Sequence, residues 1–159
     1  MNSPCHAVAL VTMLTLLTAC GNESADVNPA VIDVESTDQR LNTAIDKARR
    51  TVGFFIENYR SLKNAGYSMK FAVDTADGGI EHIWFNPIEI DGDQIKAECA
   101  NEPRNIPGLK PGDVRTLSKS QMSDWMIVVG NRCYGGYTIQ VLAAKDPAAA
   151  PPYEFVDIE

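Results

Sequence analysis

The sequence predicts an α+β domain in which a long N-terminal amphipathic helix packs on a mainly antiparallel, strongly curved sheet of about five strands. Two observations lead to this prediction. Apolar residues between positions 41 and 59 recur at alternating steps of four and three, which is the spacing of one helix face. After Gly66 the apolar spacing falls to two, which is the period of a half-buried strand.

The helix is predicted from about residue 37, where Ser36, Thr37 or Asp38 is a suitable N-cap, to "KNAG", which ends at Gly66. Its apolar face is typical of a helix that packs on a core. This face consists of Leu41, Ile45, Ala48, Val52, Phe55 and Tyr59.

Three strands joined by tight turns are predicted next, as an antiparallel meander. The segments "YSMKFAV", "IEHIWFNPIEI" and "QIKAECA" supply the strands, and "DTADGG" and "DGD" supply the turns. Pro87 lies inside the second segment, which predicts an edge, a bulge or a break there because proline cannot donate to the strand ladder.

The second half of the chain alternates turns with short apolar segments. Pro107-Gly108 and Pro111-Gly112 suit type II turns, and a strand should follow from Val114. Residues 125–129 form a buried segment, followed by a turn at Gly135 and Gly136. "YTIQVLAA" is either a strand or a short helix. We predict a single domain over 37–145 and a Pro- and Ala-rich C-terminal surface extension over 146–159.

The N-terminus has the pattern of an export signal. Residues 7–17 are uncharged and apolar, and they are too few to cross a bilayer as a helix. They end in "LTAC", which resembles the bacterial lipobox. We therefore predict a signal peptide over 1–19, lipid attachment at Cys20 and a flexible tether over 20–36, although "MNSPCH" lacks the usual Lys or Arg.

The predicted location follows from this anchor. A lipid on Cys20 would hold the chain to a bacterial membrane, facing the periplasm, and Asn22 favours the outer membrane by similarity to other lipoproteins. A plain cleaved signal and an N-terminal membrane helix are the alternatives.

Cysteine usage leads to a disulfide prediction. Cys5 would leave with the signal peptide and Cys20 would be acylated, so Cys99 and Cys133 would be the two remaining thiols in an oxidising compartment. A Cys99–Cys133 bridge would close a loop of about 35 residues, with about 3–4 kcal/mol of stabilisation from loop entropy. Two free or reactive thiols are the alternative.

The sequence contains none of the usual catalytic or cofactor motifs, so we assign no catalytic residue, metal or cofactor. Apart from His6 in the predicted signal, His82 is the only histidine, which leaves no pair for a zinc site. A net charge of −7 argues against nucleic acid as a partner.

Five motifs in this order give the region from about residue 45 to residue 141 a resemblance to the YegJ-like family of bacterial domains of unknown function. The motifs are "EHIWF", "NEP", "GLKPGD", "SDWMIV" and "GGYTI". The resemblance implies a small α+β module, often secreted, with no established reaction or cofactor. A Cys99–Cys133 pair is not part of the family pattern as we know it.

The predicted function is a non-catalytic binding or interaction module of the cell envelope, with an unknown protein or small molecule as its partner. An immunity- or inhibitor-like role is one version, suggested by size, anchoring and charge polarity. The alternative is a cell-envelope hydrolase using paired carboxylates near His82. Polar residues beside aromatic ones predict a recognition surface made of Glu81, His82, Trp84, Asp124, Trp125, Gly135 and Gly136.

Overall fold

The structure is a computed structural model that describes residues 39–158. The predicted signal peptide, Cys20 and the tether lie outside these residues. Within them the chain forms two α-helices and seven strands. The elements are α1 (Gln39–Asn58), β1 (Ala65–Asp74), β2 (Ile80–Asp91), β3 (Gln94–Cys99), β4 (Val114–Ser118), β5 (Met122–Val129), β6 (Arg132–Gly135), α2 (Tyr137–Lys145) and β7 (Glu154–Val156).

The predicted arrangement of one long helix on about five strands is wrong. All seven strands join one sheet in the order β4-β3-β2-β1-β5-β6-β7. The sheet is mixed, because β6 and β7 pair in parallel while the other neighbouring strands are antiparallel. The two extra strands have only 4 and 3 residues, which is too short for a two-residue period to stand out in the sequence.

The first helix is shorter than predicted, and a second helix follows β6. Helix α1 ends at Asn58, well before Gly66. Arg60 and Asn64, which follow it, adopt φ values of 63° and 56°, so the backbone cannot continue as a right-handed helix. The segment left open as strand or helix forms α2.

The apolar stripe of α1 faces the core, as predicted. Ala48 and Phe55 have no exposed surface, and Leu41, Ile45, Val52 and Tyr59 are half-buried. The Phe55 ring lies 5.8 Å from the Trp125 ring, centroid to centroid. Trp125 Nε1 also donates to the carbonyl oxygen of Ala48 at 2.9 Å, so both a ring contact and a hydrogen bond tie the helix to β5.

One side of the sheet, which we call the covered face, is apolar. The loop of residues 100–113 adds Ile106 and Leu109 to the same core. Each fully buried side chain of this size stabilises the fold by about 1.5–3 kcal/mol. The strand residues of the covered face include Met69, Phe71, Val73, Ile83, Phe85, Ile95, Ala97, Cys99, Leu117, Met122, Trp125 and Ile127.

The other side of the sheet, which we call the open face, carries the residues that alternate with these. In β2 these are His82, Trp84 and Asn86. They stand opposite Ala72, Lys70 and Ser68 of β1, and Lys70 stands opposite Asp124 of β5 on its other side. His82 and Asn86 are exposed and Trp84 is half-buried. Lys70 and Asp124 are buried, because α2 begins beside them.

Two irregularities bend the strand ladder. The register shifts between Pro87 and Glu89, which confirms the irregularity predicted at the proline. A second shift falls between Lys70 and Phe71, opposite Ser123. Such bulges insert an unpaired residue and locally increase the twist.

The segment after Lys145, predicted as a surface extension, returns to the sheet as β7. Cys133 of β6 stands opposite Phe155 there. Among residues 39–158, neither helix has both the length and the apolar content needed to cross a bilayer.

Candidate functional site

The predicted recognition residues fall on the two sides of the sheet. By alternation along β2, Glu81 points to the side of Ile83 and Phe85, whereas His82 and Trp84 point to the open face. Trp125 is fully buried in the covered face. The structure therefore brings His82 and Trp84 together and separates them from Glu81 and Trp125.

Glu81 holds a loop in place. Both of its carboxylate oxygens accept from the backbone N–H of Arg104, at 3.0 and 3.1 Å, and Oε2 also accepts from the N–H of Asn105 at 3.1 Å. The Asn105 carbonyl in turn accepts from Ala76 N at 2.9 Å. This buried carboxylate thus fastens the 100–113 loop to the start of β2, near the turn between β1 and β2.

Asp124 holds the start of α2. Its Oδ1 accepts from the backbone N–H of Trp125 at 2.9 Å and of Tyr137 at 3.2 Å. Its Oδ2 accepts from the N–H of Thr138 at 2.8 Å and from the Thr138 hydroxyl at 2.6 Å. Two bonds to each oxygen use the acceptor capacity of a carboxylate. Asp124 thus caps a helix whose own N-cap residue, Gly136, offers no side chain.

The two glycines make the turn that brings α2 to Asp124. Gly135 and Gly136 have φ values of 77° and 64°, which confirms their predicted turn role. A Cβ on Gly135 would lie 2.3 Å from the carbonyl oxygen of Trp125 and 2.7 Å from its Cε3. These positions therefore serve the backbone and the packing of Trp125, not a surface.

Lys70 is the residue of the site that sequence reasoning missed. It is only 8% exposed, and its Nζ donates to Thr138 Oγ1 at 2.9 Å. The same Nζ lies 4.8 Å from the centre of the Trp84 ring, a cation–π contact. Burial lowers the pKa of Lys70, and the charge of Asp124 opposes that shift. Alternation places Lys70 on the open face, but only the strand register shows that Trp84 and Asp124 flank it.

His82 stands at the end of the open face. Its Nδ1 lies 2.8 Å from Ser123 Oγ. Desolvation lowers the pKa of His82, and the nearby positive charges of Lys70 and Arg49 lower it further. Arg49 reaches this place from α1, where its Nε donates to the carbonyl oxygen of Met122 at 3.1 Å.

The predicted Cys99–Cys133 bridge is wrong. Both thiols are free and buried, and three strands separate β3 from β6 in the sheet. Four strand spacings amount to about 19 Å, whereas bridged Cα atoms lie about 4.4–6.8 Å apart. Burial raises the pKa of both thiols, that of Cys133 to about 11. The prediction rested on the oxidising compartment, which says nothing about the distance between the two cysteines in the fold.

Metal binding finds no support in the part of the chain that the structure describes. Over residues 39–158, no three His, Cys, Asp or Glu side chains form a group that could hold an ion. Asp74, Asp77, Asp91 and Asp93 lie in or next to the two hairpin turns, as expected from turn chemistry.

Comparison with protein families shows which family this chain matches. A family model described as "Uncharacterized protein conserved in bacteria (DUF2314)" matches residues 38–148. This chain belongs to the DUF2314 family. The matched range runs from the start of α1 through the end of α2, so the family pattern covers both faces of the sheet and the capped helix.

The chain is similar in sequence to proteins of two bacteria. The chain is 26% identical to the uncharacterized protein YegJ of Escherichia coli, over 87% of this chain and 90% of that protein. This supports the YegJ-like resemblance. It is 33% identical to a putative ankyrin repeat protein of Neisseria meningitidis, over 70% of this chain but only 48% of that longer protein. No solved structure matches the chain.

Proposed function

We propose that this DUF2314 protein is a non-catalytic interaction module of the bacterial cell envelope that binds a partner protein through the open face. The observation that carries the proposal is the orientation and hydrogen bonding of the carboxylates of Glu81 and Asp124. Glu81 and Asp124 point to opposite sides of the sheet, and both are bonded to backbone N–H groups. A hydrolase that uses paired carboxylates needs two such groups to converge on one bond.

The open face has the composition of a binding surface. Trp84, Met126 and Ala72 are half-buried near its middle, and polar side chains including Ser68, Asn86 and Glu98 lie beside them. Protein interfaces concentrate aromatic residues and Met at the centre with a polar rim. The cation–π contact with buried Lys70 fixes the orientation of the Trp84 ring, so a partner would bind a ring that is already in position.

The open face is tested by photo-crosslinking in cells. A photoreactive amino acid replaces Trp84 in one variant and Ile56 in another. Ile56 is 37% exposed on α1 and serves as the matched control. We expect one protein to be crosslinked from position 84 and not from position 56, and Asn86→Arg to abolish that product without lowering the melting temperature. Equal crosslinking from both positions, or none from position 84, would contradict the proposal.

The envelope location rests on the sequence around Cys20 and is tested separately. The variant Cys20→Ser removes the only proposed lipid attachment point. We expect the wild-type chain in the membrane fraction and the variant in the soluble periplasmic fraction. Membrane association that survives this change would contradict the lipid anchor, whatever the crosslinking shows.

An immunity- or inhibitor-like role is one version of this proposal. In that version, the crosslinked partner would be an enzyme or toxin whose activity falls when the chain is added. The Trp84→Ala variant should inhibit less than the wild-type chain in an assay of that partner.

A further inference from the structure

Three basic side chains from three elements meet three consecutive residues at the start of β5. Arg49 of α1 donates to the Met122 carbonyl at 3.1 Å. His82 of β2 lies 2.8 Å from Ser123 Oγ. Lys70 of β1 stands opposite Asp124. The positive charges of Lys70 and Arg49 both lower the pKa of His82.

The bulge in β5 creates this meeting point. The strand register passes from Lys70↔Asp124 directly to Phe71↔Met122, so Ser123 has no partner in β1. His82 stands opposite Ala72 on the far side of β1. A small residue at position 72 and an unpaired serine at position 123 let the imidazole reach across β1.

Donors remain available at this point. Arg49 is exposed, and over residues 39–158 its only hydrogen bond is made by Nε. His82 is also exposed, and its Nε2 has no hydrogen-bond partner in the described part of the chain. The planar guanidinium group presents its remaining N–H donors in a geometry that matches a carboxylate or phosphate group.

The acidic residues around this point do not oppose an anion. The carboxylate of Asp124 is fully engaged by α2 and faces Lys70. Asp93, in the turn that meets the segment before β5, is paired with Lys119 at 2.7 Å. Asp74 is exposed at the end of β1, two residues beyond Ala72. Arg49 has no ion-pair partner among residues 39–158, so its charge is available to an anion.

We propose that the guanidinium group of Arg49 and Nε2 of His82 form a binding site for an oxyanion, the carboxylate or phosphate group of a small molecule. Buried Ser123 holds the imidazole through its contact with Nδ1. The two terminal nitrogens of Arg49 donate to two oxygens of the anion, and Nε2 of His82 donates to one of them. The positive charge of buried Lys70 adds to the attraction. The site does not depend on the proposed protein partner, because a free anion can occupy it.

Binding is linked to protonation of His82. In the protonated ring both nitrogens carry hydrogen, so Nδ1 keeps its contact with Ser123 while Nε2 donates to the anion. A bound anion therefore raises the pKa of His82, and the affinity rises as the pH falls. The positive charges of Lys70 and Arg49 favour the neutral form of the ring. Asp124 is bonded to the start of α2 and Asp74 is exposed, and neither carboxylate is hydrogen-bonded to the ring.

The test is histidine-detected NMR on the chain that begins at Cys20, in which His82 is the only histidine. Inorganic phosphate, malonate and sodium chloride are titrated at equal ionic strength, at pH 6.0 and at pH 7.5. We expect phosphate, malonate or both to shift the His82 signals and to bind at least about threefold more tightly at pH 6.0. The preferred anion identifies the ligand class. Shifts no larger than those from chloride would overturn the proposal.

A matched pair of variants tests the role of Arg49. Arg49→Gln keeps a donor near the Met122 carbonyl but removes the charge, and we expect about tenfold weaker anion binding. Arg50→Gln removes the same charge one residue along the exposed helix and should leave the affinity within about twofold. Equal weakening by both variants would show a general charge effect and would overturn the site. Circular dichroism confirms that both variants are folded.

Discussion

The two faces of the sheet differ in what their side chains contact. On the covered face, Phe55, Trp125 and the strand residues around them contact one another and lose all exposure. On the open face, Trp84 contacts a buried polar network that begins at Lys70 and ends at Asp124 and Thr138, and His82 contacts Ser123. This contrast indicates that the covered face stabilises the fold by apolar packing, whereas the open face combines a stabilising polar network with the exposed side chains of His82 and Asn86.

The largest expected difference comes from removing one aromatic side chain on each face. Phe55→Ala leaves a cavity in a fully buried cluster and should lower the free energy of unfolding by about 3–5 kcal/mol. Trp84→Ala removes a half-buried ring and a cation–π contact and should cost about 1 kcal/mol. Urea unfolding of both variants measures the difference. Equal losses would show that the open face is part of the core.

The next expected effect concerns the polar network. Asp124→Asn removes the negative charge beside buried Lys70 and places an amide donor against N–H groups. We expect a loss of about 3 kcal/mol in the free energy of unfolding. Asp113→Asn, at a carboxylate that accepts from the N–H of Lys110 on the surface, is the control and should cost less than about 1 kcal/mol. Similar unfolding midpoints for the two variants would contradict the role of Asp124.

A smaller, local effect is expected at Glu81. Glu81→Gln replaces one acceptor oxygen with a donor group and should cost about 1–2 kcal/mol. Amide hydrogen exchange at Arg104 and Asn105 should accelerate, while exchange in β5 stays slow. Unchanged protection of those two amides would mean that Glu81 does not hold the loop.

The smallest effect is the pH dependence that His82 contributes. Its pKa in the folded chain is lowered, so the unfolded chain binds more protons near pH 6.5. The contribution of His82 to the free energy of unfolding is therefore constant above the pKa of this histidine in the unfolded chain. It falls as the pH drops through that pKa. His82→Gln should flatten the fall in melting temperature below about pH 6.5 and leave the curve unchanged above pH 7.5. A wild-type curve identical to that of the variant would refute the shift.

The sequence predicted local features better than long-range ones. The stripe on α1, the first three strands and the turns at Gly135 and Gly136 all have a period or a residue type that acts over a few positions. The short strands β6 and β7 carry no such period. β7 pairs in parallel with β6, whose residue Arg132 stands opposite Glu154, 22 positions later in the chain.

The same limit applies to the predicted site residues. His82 and Trp84 both lie on the open face, where His82 is exposed and Trp84 is half-buried, and their role in recognition stays a prediction. The partners of Glu81 and Asp124 lie 13 to 24 residues away in the chain, apart from the neighbouring Trp125 amide, so their structural role could not be deduced from spacing. Lys70 looked like an ordinary solvent-facing lysine because its burial depends on α2.

The contact between Gly135 and Trp125 has a consequence for how members of this family diverge. A Cβ at position 135 would lie 2.3 Å from the backbone carbonyl oxygen of residue 125, so a smaller side chain in place of the indole would not make room for it. The positive φ of Gly135 restricts the position a second time. Homologues should therefore keep glycine at position 135 even where the residue at position 125 changes.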